Sequence, residues 1–203
     1  MVASNADRNA IRAIMENWVL WRDSCDWDRF RTLWHKNGVM MATWFQGTYE
    51  EFIAASDKGF REGQKTGASI IHMLGAISID IKGKRAIAQA KMAILQRGPI
   101  DGVMCDVTCN GRFMAFIEKR GKRWGMVLNR PIYEKDRLDP VDPSARIALD
   151  QSILARFPRG YQYLAYLQTK AGFNVKTELP GLSGPALDAL YAMRDRWLKG
   201  GKL

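Results

Sequence analysis

The chain has 203 residues, 47% hydrophobic and 26% charged, a composition that excludes a disordered protein and fits one folded domain with room for an appendage. Its 31 Lys+Arg against 21 Asp+Glu give a net charge of +10, which raises nucleic acid as a partner. No apolar run approaches the ~20 residues of a membrane span, and the N-terminus lacks an apolar signal core, so the cytoplasm is the expected location and no membrane partner is expected.

The charge is unevenly placed. Residues 1–57 carry six basic and eight acidic groups. The excess lies later, in Lys58, Arg61 and Lys65, in Lys82, Lys84 and Arg85, and in Lys119, Arg120, Lys122 and Arg123. The last two groups flank glycines, as hairpin turns do, so a solvated surface is expected rather than a nucleic-acid site. Three cysteines without a CxxC pair argue against a disulfide scaffold or zinc cluster. Two histidines are too few for a multi-histidine metal site.

In chain order, Ser4 and Asp7 read as a capping box. Ile11, Ile14, Met15, Trp18 and Val19 form one helical stripe, and that helix should reach about Asp23. Asp26 can cap a short second helix over 26–35, with Trp27, Phe30 and Trp34 inward. Val39–Phe45 is a strand candidate turned by Gly47, and Tyr49–Gly63 has helical spacing. From Ser69 the period becomes two: Ser69–Asp80, Ala86–Gln96, Val103–Glu118 and Trp124–Arg130 read as strands with tight turns. Gly102 and Gly111 are candidate bends or bulges, and Pro131 should end regular pairing.

After Arg137 the character changes. Residues 138–143 read as a linker, Ser144–Phe157 and Tyr161–Lys170 as helices, residues 174–184 as loop, and Pro185–Leu198 as a final helix. The order predicts an α+β fold: a cone-shaped barrel over residues 1–138, with a curved, mostly antiparallel sheet wrapped on three N-terminal helices. Residues 139–203 form a helical C-terminal extension. The open end of such a cone is a natural ligand pocket.

No Walker A loop, GxSxG elbow or dinucleotide GxGxxG occurs, so no cofactor is expected. What remains is a set of polar residues at apolar positions. His72 stands mid-strand among aliphatic neighbours, as a hydrogen-bonded core histidine or as a catalytic base. Asp23 ends the first helix, where the helix dipole disfavours an acid; it is either solvated or held for a purpose. Arg130 ends the last sheet strand, at the surface or, if it points into the cone, as an anchor for an oxygen-rich group. Trp18, Trp44 and Phe113 suit the core or a ligand cage. Cys105 and Cys109 lie ~13 Å apart at strand rise and cannot pair.

The run Trp21-Arg22-Asp23-Ser24-Cys25-Asp26-Trp27-Asp28-Arg29-Phe30, the strand near Val39 and the strand His72-Met73-Leu74-Gly75 resemble SnoaL-like members of the nuclear transport factor 2-like superfamily, over residues 5–134. The members compared are scytalone dehydratase, hexachlorocyclohexane dehydrochlorinase, bile-acid 7α-dehydratase and lignin-dimer γ-formaldehyde lyase. The resemblance implies that His72 is the general base and that Asp23 orients it. It also implies a contribution from Arg130, and dimers or trimers are usual in the group.

There are departures. Arg22 replaces the tyrosine that precedes the dehydratase's aspartate, Gln96 falls near its second histidine, and Phe113, with Asn110 one slip away, falls near its asparagine. The substrate is therefore expected to differ from scytalone. The expectation is a cofactor-independent lyase that eliminates water, halide or formaldehyde from a bulky apolar, aromatic or polycyclic substrate. His72, Asp23 and Arg130 would be catalytic; Trp18, Trp44, Gln96, Asn110 and Phe113 would bind substrate. A ketosteroid-type isomerase and a non-catalytic ligand-binding or interaction module are the alternatives.

Overall fold

The computed structural model describes residues 4–203. The first helix, α1 (Asn5–Asp23), starts where the Ser4 hydroxyl accepts the Asp7 N–H. It ends at a turn in which Cys25 takes a left-handed φ of 57°. That reversal frees Asp26 to cap α2 (Trp27–Thr32). The second helix is shorter than its apolar spacing suggests, because β1 (Trp34–Met41) begins at Trp34, which enters the sheet beside Met126. A short strand β2 (Gln46–Thr48) follows. Then α3 (Tyr49–Thr66) begins with a reciprocal capping box between Thr48 and Glu51 and ends on Gly67 in the left-handed conformation.

Four long strands complete the sheet: β3 (Ser69–Lys82), β4 (Arg85–Ile100), β5 (Val103–Arg120) and β6 (Arg123–Pro140). The strand order is β2-β1-β6-β5-β4-β3. All pairs are antiparallel except β1 with β6. The expected α+β cone is therefore present, with one strand more than anticipated between the helices.

Three expectations fail. Pro131 does not end pairing: β6 runs through it, opposite Phe113, to Pro140. The parallel partner β1 pairs only as far as Asn129, so at Pro131 that side of β6 has no ladder to break. Residues 138–140, expected in a linker, are strand. Of the helix expected over Ser144–Phe157, only α4 (Gln151–Leu154) forms, capped by Asp150. The remaining helices, α5 (Gln162–Lys170) and α6 (Pro185–Leu198), lie where helical spacing placed them.

Both faces of the sheet are covered. On the concave face, Ile11, Met15, Trp18, Phe30 and Phe52 from α1–α3 meet Ala88, Ala90, Phe113 and Ala115. Tyr161, Leu164 and Leu167 of the C-terminal segment join that same core. On the convex face, Leu187, Leu190 and Trp197 of α6 pack on Ile87, Met114, Phe116 and Leu128. This explains why β5 and β6 read as nearly continuous apolar runs near their centres, with no polar face. Among the described residues, no helix is long and apolar enough to cross a membrane.

Both glycines expected at bends sit at irregular backbone. Gly102 turns between β4 and β5 with φ 86°. Gly111 flanks a register shift against β6, and a Cβ there would lie 2.1 Å from the Ile132 carbonyl oxygen. That contact is with backbone and cannot relax by a side-chain rotation. Gly111→Ala is expected to lose about 3 kcal/mol or more, seen as a lower denaturant midpoint with an unchanged slope.

Candidate active site

The carboxylate of Asp23, at the last turn of α1, crosses to β3 and holds His72 by two groups at once. Its Oδ2 accepts the His72 backbone N–H, and its Oδ1 lies 2.9 Å from the His72 Nδ1. This contact assigns the proton of the neutral ring to Nδ1, because an ionised carboxylate only accepts. The other nitrogen, Nε2, has no hydrogen-bond partner among the described residues, and His72 lines an internal chamber. The ring packs on a touching pair of aromatics: Trp18 meets it edge-on at 5.4 Å and Phe113 lies at 6.2 Å, tilted by 30°.

Burial lowers the His72 pKa most, Asp23 pulls it back up, and the nearby Arg22 charge lowers it again; the net shift is downward. Burial acts to raise the Asp23 pKa, but the hydrogen bonds and charge of His72 and the charge of Arg22 outweigh it, and Asp23 stays below the ordinary value. At neutral pH the pair is an ionised aspartate and a neutral histidine whose free basic nitrogen is Nε2, on a ring that lines the chamber. His72 contributes stability that is complete above about pH 6.5 and is lost as the pH falls through its lowered folded value.

The space around the pair has two parts. The inner chamber at His72 is small, ≈ 20 Å³, about enough for one water. It is walled by Trp18, Met40, Phe52, Phe113 and Tyr133, among others. Burial pushes the Tyr133 phenol far above its usual range, so it stays protonated. The larger cleft, ≈ 290 Å³, lies outside and does not reach His72. Four residues line both spaces and separate them: Arg22, Trp44, Ile70 and Gln168. The outer cleft has the larger volume; the inner chamber is lined by His72.

The expected site residues divide accordingly. His72, Asp23, Trp18 and Phe113 come together at the inner chamber, and Trp44 stands at the partition. Gln96 lines the outer cleft, where its Oε1 accepts from Gln168 Nε2 at 3.0 Å. Two residues are elsewhere. Arg130 lies on the convex face: it reaches the Met41 Sδ at 3.3 Å, and its cross-strand neighbour Met114 packs under α6. Asn110 is exposed and borders a shallow outer hollow with Met73, Lys91 and Glu134. Neither faces His72.

Three residues of the site were not singled out as such. Arg22 is 4% exposed, and its Nη1 donates to Asp23 Oδ1 at 3.1 Å. Its signal was a charged residue on the buried stripe of α1. Tyr133 lines the inner chamber from β6. Gln168 comes from the C-terminal segment and links Thr43 Oγ1, which donates to its Oε1 at 2.6 Å, to Gln96. Among the described residues, no group of three or more His, Cys, Asp and Glu is arranged to hold a metal ion.

A SnoaL-like domain is matched over residues 3–128, more than half of the chain. The chain belongs to the SnoaL-like family. Relatives are found over almost its full length: a PEP2-like protein of Fusarium vanettenii is 38% identical over 96% of this chain and 86% of its own. Pea pathogenicity protein 2 of the same organism is 36% identical with the same coverage. Among solved structures, the hexachlorocyclohexane dehydrochlorinase LinA (Type2) shares the fold with a TM-score of 0.56 at 11% identity, over 71% of this chain and 94% of its own. A Novosphingobium aromaticivorans protein assigned to the scytalone dehydratases gives 0.50 at 15% identity, over 70% and 96%.

Proposed function

We propose that this SnoaL-like protein is a cofactor-independent lyase in which His72 is the general base. The observation that supports this most is the Asp23–His72 pair: a partly buried carboxylate fixes the Nδ1–H tautomer and leaves Nε2 free on a ring that lines the inner chamber. His72 takes a proton from the substrate and Asp23 stabilises the imidazolium that results, as the carboxylate of any Asp–His pair does. A small group then departs: water, halide or formaldehyde. For formaldehyde, the proton comes from a hydroxyl and a carbon–carbon bond breaks. General base catalysis of this kind contributes roughly 10²–10⁴-fold.

The outer cleft suits a bulky apolar substrate. Trp44, Phe60, Ile70 and Phe173 border it, and its ≈ 290 Å³ lies at the lower edge of ligand-pocket volumes, roughly 300–1,000 Å³. The body of an aromatic or polycyclic molecule lies there, and the reacting end passes between Trp44 and Ile70 to His72. The test is product mass. Incubation with aromatic and polycyclic alcohols and halides is expected to give a product lighter by water, hydrogen halide or formaldehyde. A product of unchanged mass, formed at a rate dependent on His72, makes the protein an isomerase and overturns the lyase reading.

A further inference from the structure

We propose that Arg22 is the oxyanion-binding residue of this site and that the substrate is a carbonyl compound, its oxygen held by the Arg22 guanidinium while the adjacent C–H faces His72. This rests on His72 being the base and adds the functional group the substrate must carry.

A guanidinium offers five N–H donors. Arg22 is 4% exposed, and Asp23 is the one hydrogen-bond partner of its guanidinium among the described residues. Its Nε is buried without any partner. One face of the group is closed by the Phe60 ring, with the guanidinium carbon 4.8 Å from the ring centre. A buried cation with unused donors is costly unless an acceptor arrives. Arg22 also lines both the outer cleft and the His72 chamber, so it is within reach of an acceptor in either.

Its place beside the base is fixed by a shared atom. Arg22 Nη1 and His72 Nδ1 lie 3.1 Å and 2.9 Å from the same oxygen, Oδ1 of Asp23. A substrate touching His72 Nε2 therefore has Arg22 as its nearest cation. The other cations at the cleft rim are already paired, Arg97 with Asp106 and Lys170 with Asp101. Asp23 half-neutralises Arg22, which favours an oxygen that gains charge during reaction over a permanent dianion.

The step balances without a co-reactant. The C–H proton moves to His72 Nε2, and the bonding pair passes into the carbonyl to give an enolate whose oxygen Arg22 holds. The carbonyl re-forms, the group on the next carbon leaves with its bonding pair, and it takes the proton from His72. The products are an α,β-unsaturated carbonyl compound and water or hydrogen halide. The loss of one oxyanion donor typically lowers turnover by about 10²–10³-fold.

The phenolate of 4-nitrophenol carries its charge on one oxygen in conjugation with a ring, as such an enolate does. Its ionisation is read by absorbance when bound to the full chain. In wild type and in His72→Gln, the bound phenol is expected to ionise with an acid dissociation constant raised at least tenfold. Arg22→Met is expected to abolish the increase. Arg22→Lys, which keeps the charge and covers the case in which the methionine variant does not fold, should show an intermediate one. Failure of wild type to bind the probe, bound ionisation equal to that in water, or an increase that survives in Arg22→Met overturns the proposal. The role of His72 is read separately, from turnover, so failure of one does not imply failure of the other.

Discussion

His72→Ala is expected to lower turnover by about 10²–10⁴-fold while the circular dichroism spectrum stays that of the wild type. The ring packs on Trp18 and Phe113 but makes its side-chain hydrogen bond only to Asp23, so its removal leaves the sheet intact. Asp23→Asn should be nearly as damaging, for a different reason. An asparagine whose Oδ1 accepts the His72 backbone N–H turns its NH₂ towards His72 Nδ1, which must then accept. The ring proton moves to Nε2, and the nitrogen facing the chamber is no longer a base. The same exchange in a Ser-His-Asp triad costs about 10⁴-fold. The wild-type rate should fall on the acid side at a pH below the ordinary histidine value of about 6.5, because burial and Arg22 lower the His72 pKa. A folded His72→Ala enzyme with near-normal turnover contradicts this.

Asp23→Ala is expected to affect the fold as well as the chemistry. It strands the buried Arg22 cation, the His72 backbone N–H and the His72 ring N–H together. Breaking a buried ion pair by removing one partner typically costs about 3–5 kcal/mol. For a chain of this size that is roughly 6–20 °C in Tm. The double variant Arg22→Met/Asp23→Ala should recover part of the loss, since the stranded charge has gone with its partner. A thermal melt of the three proteins measures this. Equal loss in single and double variants would mean that the charge pair is not what Asp23 stabilises.

Much of the cone was legible in the chain, and the reason is periodicity. The stripe Ile11, Ile14, Met15, Trp18 and Val19 is the buried face of α1, and the alternation through Val103, Cys105, Val107 and Cys109 is β5. His72 was visible as a polar residue among aliphatic neighbours and Asp23 as an acid at a helix C-terminus; the resemblance joined them, and the structure sets them 2.9 Å apart. Arg130, left open between the surface and the cone and brought to the site by the resemblance, is turned outward by a bulge. Trp124 and Met126 point into the cone, and simple alternation carries Arg130 inward with them. The register shifts between Met126 and Leu128, so Val127 and Leu128 both turn outward and Pro131, not Arg130, lines the chamber. No local signal marks that extra residue.

Asn110 failed more simply. Its neighbours Cys109 and Phe113 face inward, and the irregularity near Gly111 inserts its extra residue, Glu134, into β6 rather than β5. Gln168 could not be read at all. It reaches Thr43 and Gln96 only because α5 packs in the concave core, a contact set by tertiary structure and carried by no motif. Arg22 stood in the right sequence run, but only the unpartnered Nε and the shared Oδ1 show what it can do.

The ¹⁵N resonance pattern of the two histidines tests the Asp23–His72 pair directly and requires no substrate. His35 has its Nε2 2.9 Å from the Glu118 carbonyl oxygen and its Nδ1 2.9 Å from the Arg123 Nη2 donor, so it is a neutral Nε2–H ring. His72 is the opposite tautomer, with its proton on Nδ1 towards Asp23. At pH 7 two neutral rings of opposite tautomer are expected, with the Nδ1–H set lost in His72→Gln and converted to Nε2–H in Asp23→Asn. A doubly protonated His72 at pH 7, or a His72 whose proton sits on Nε2 in the wild type, would contradict it.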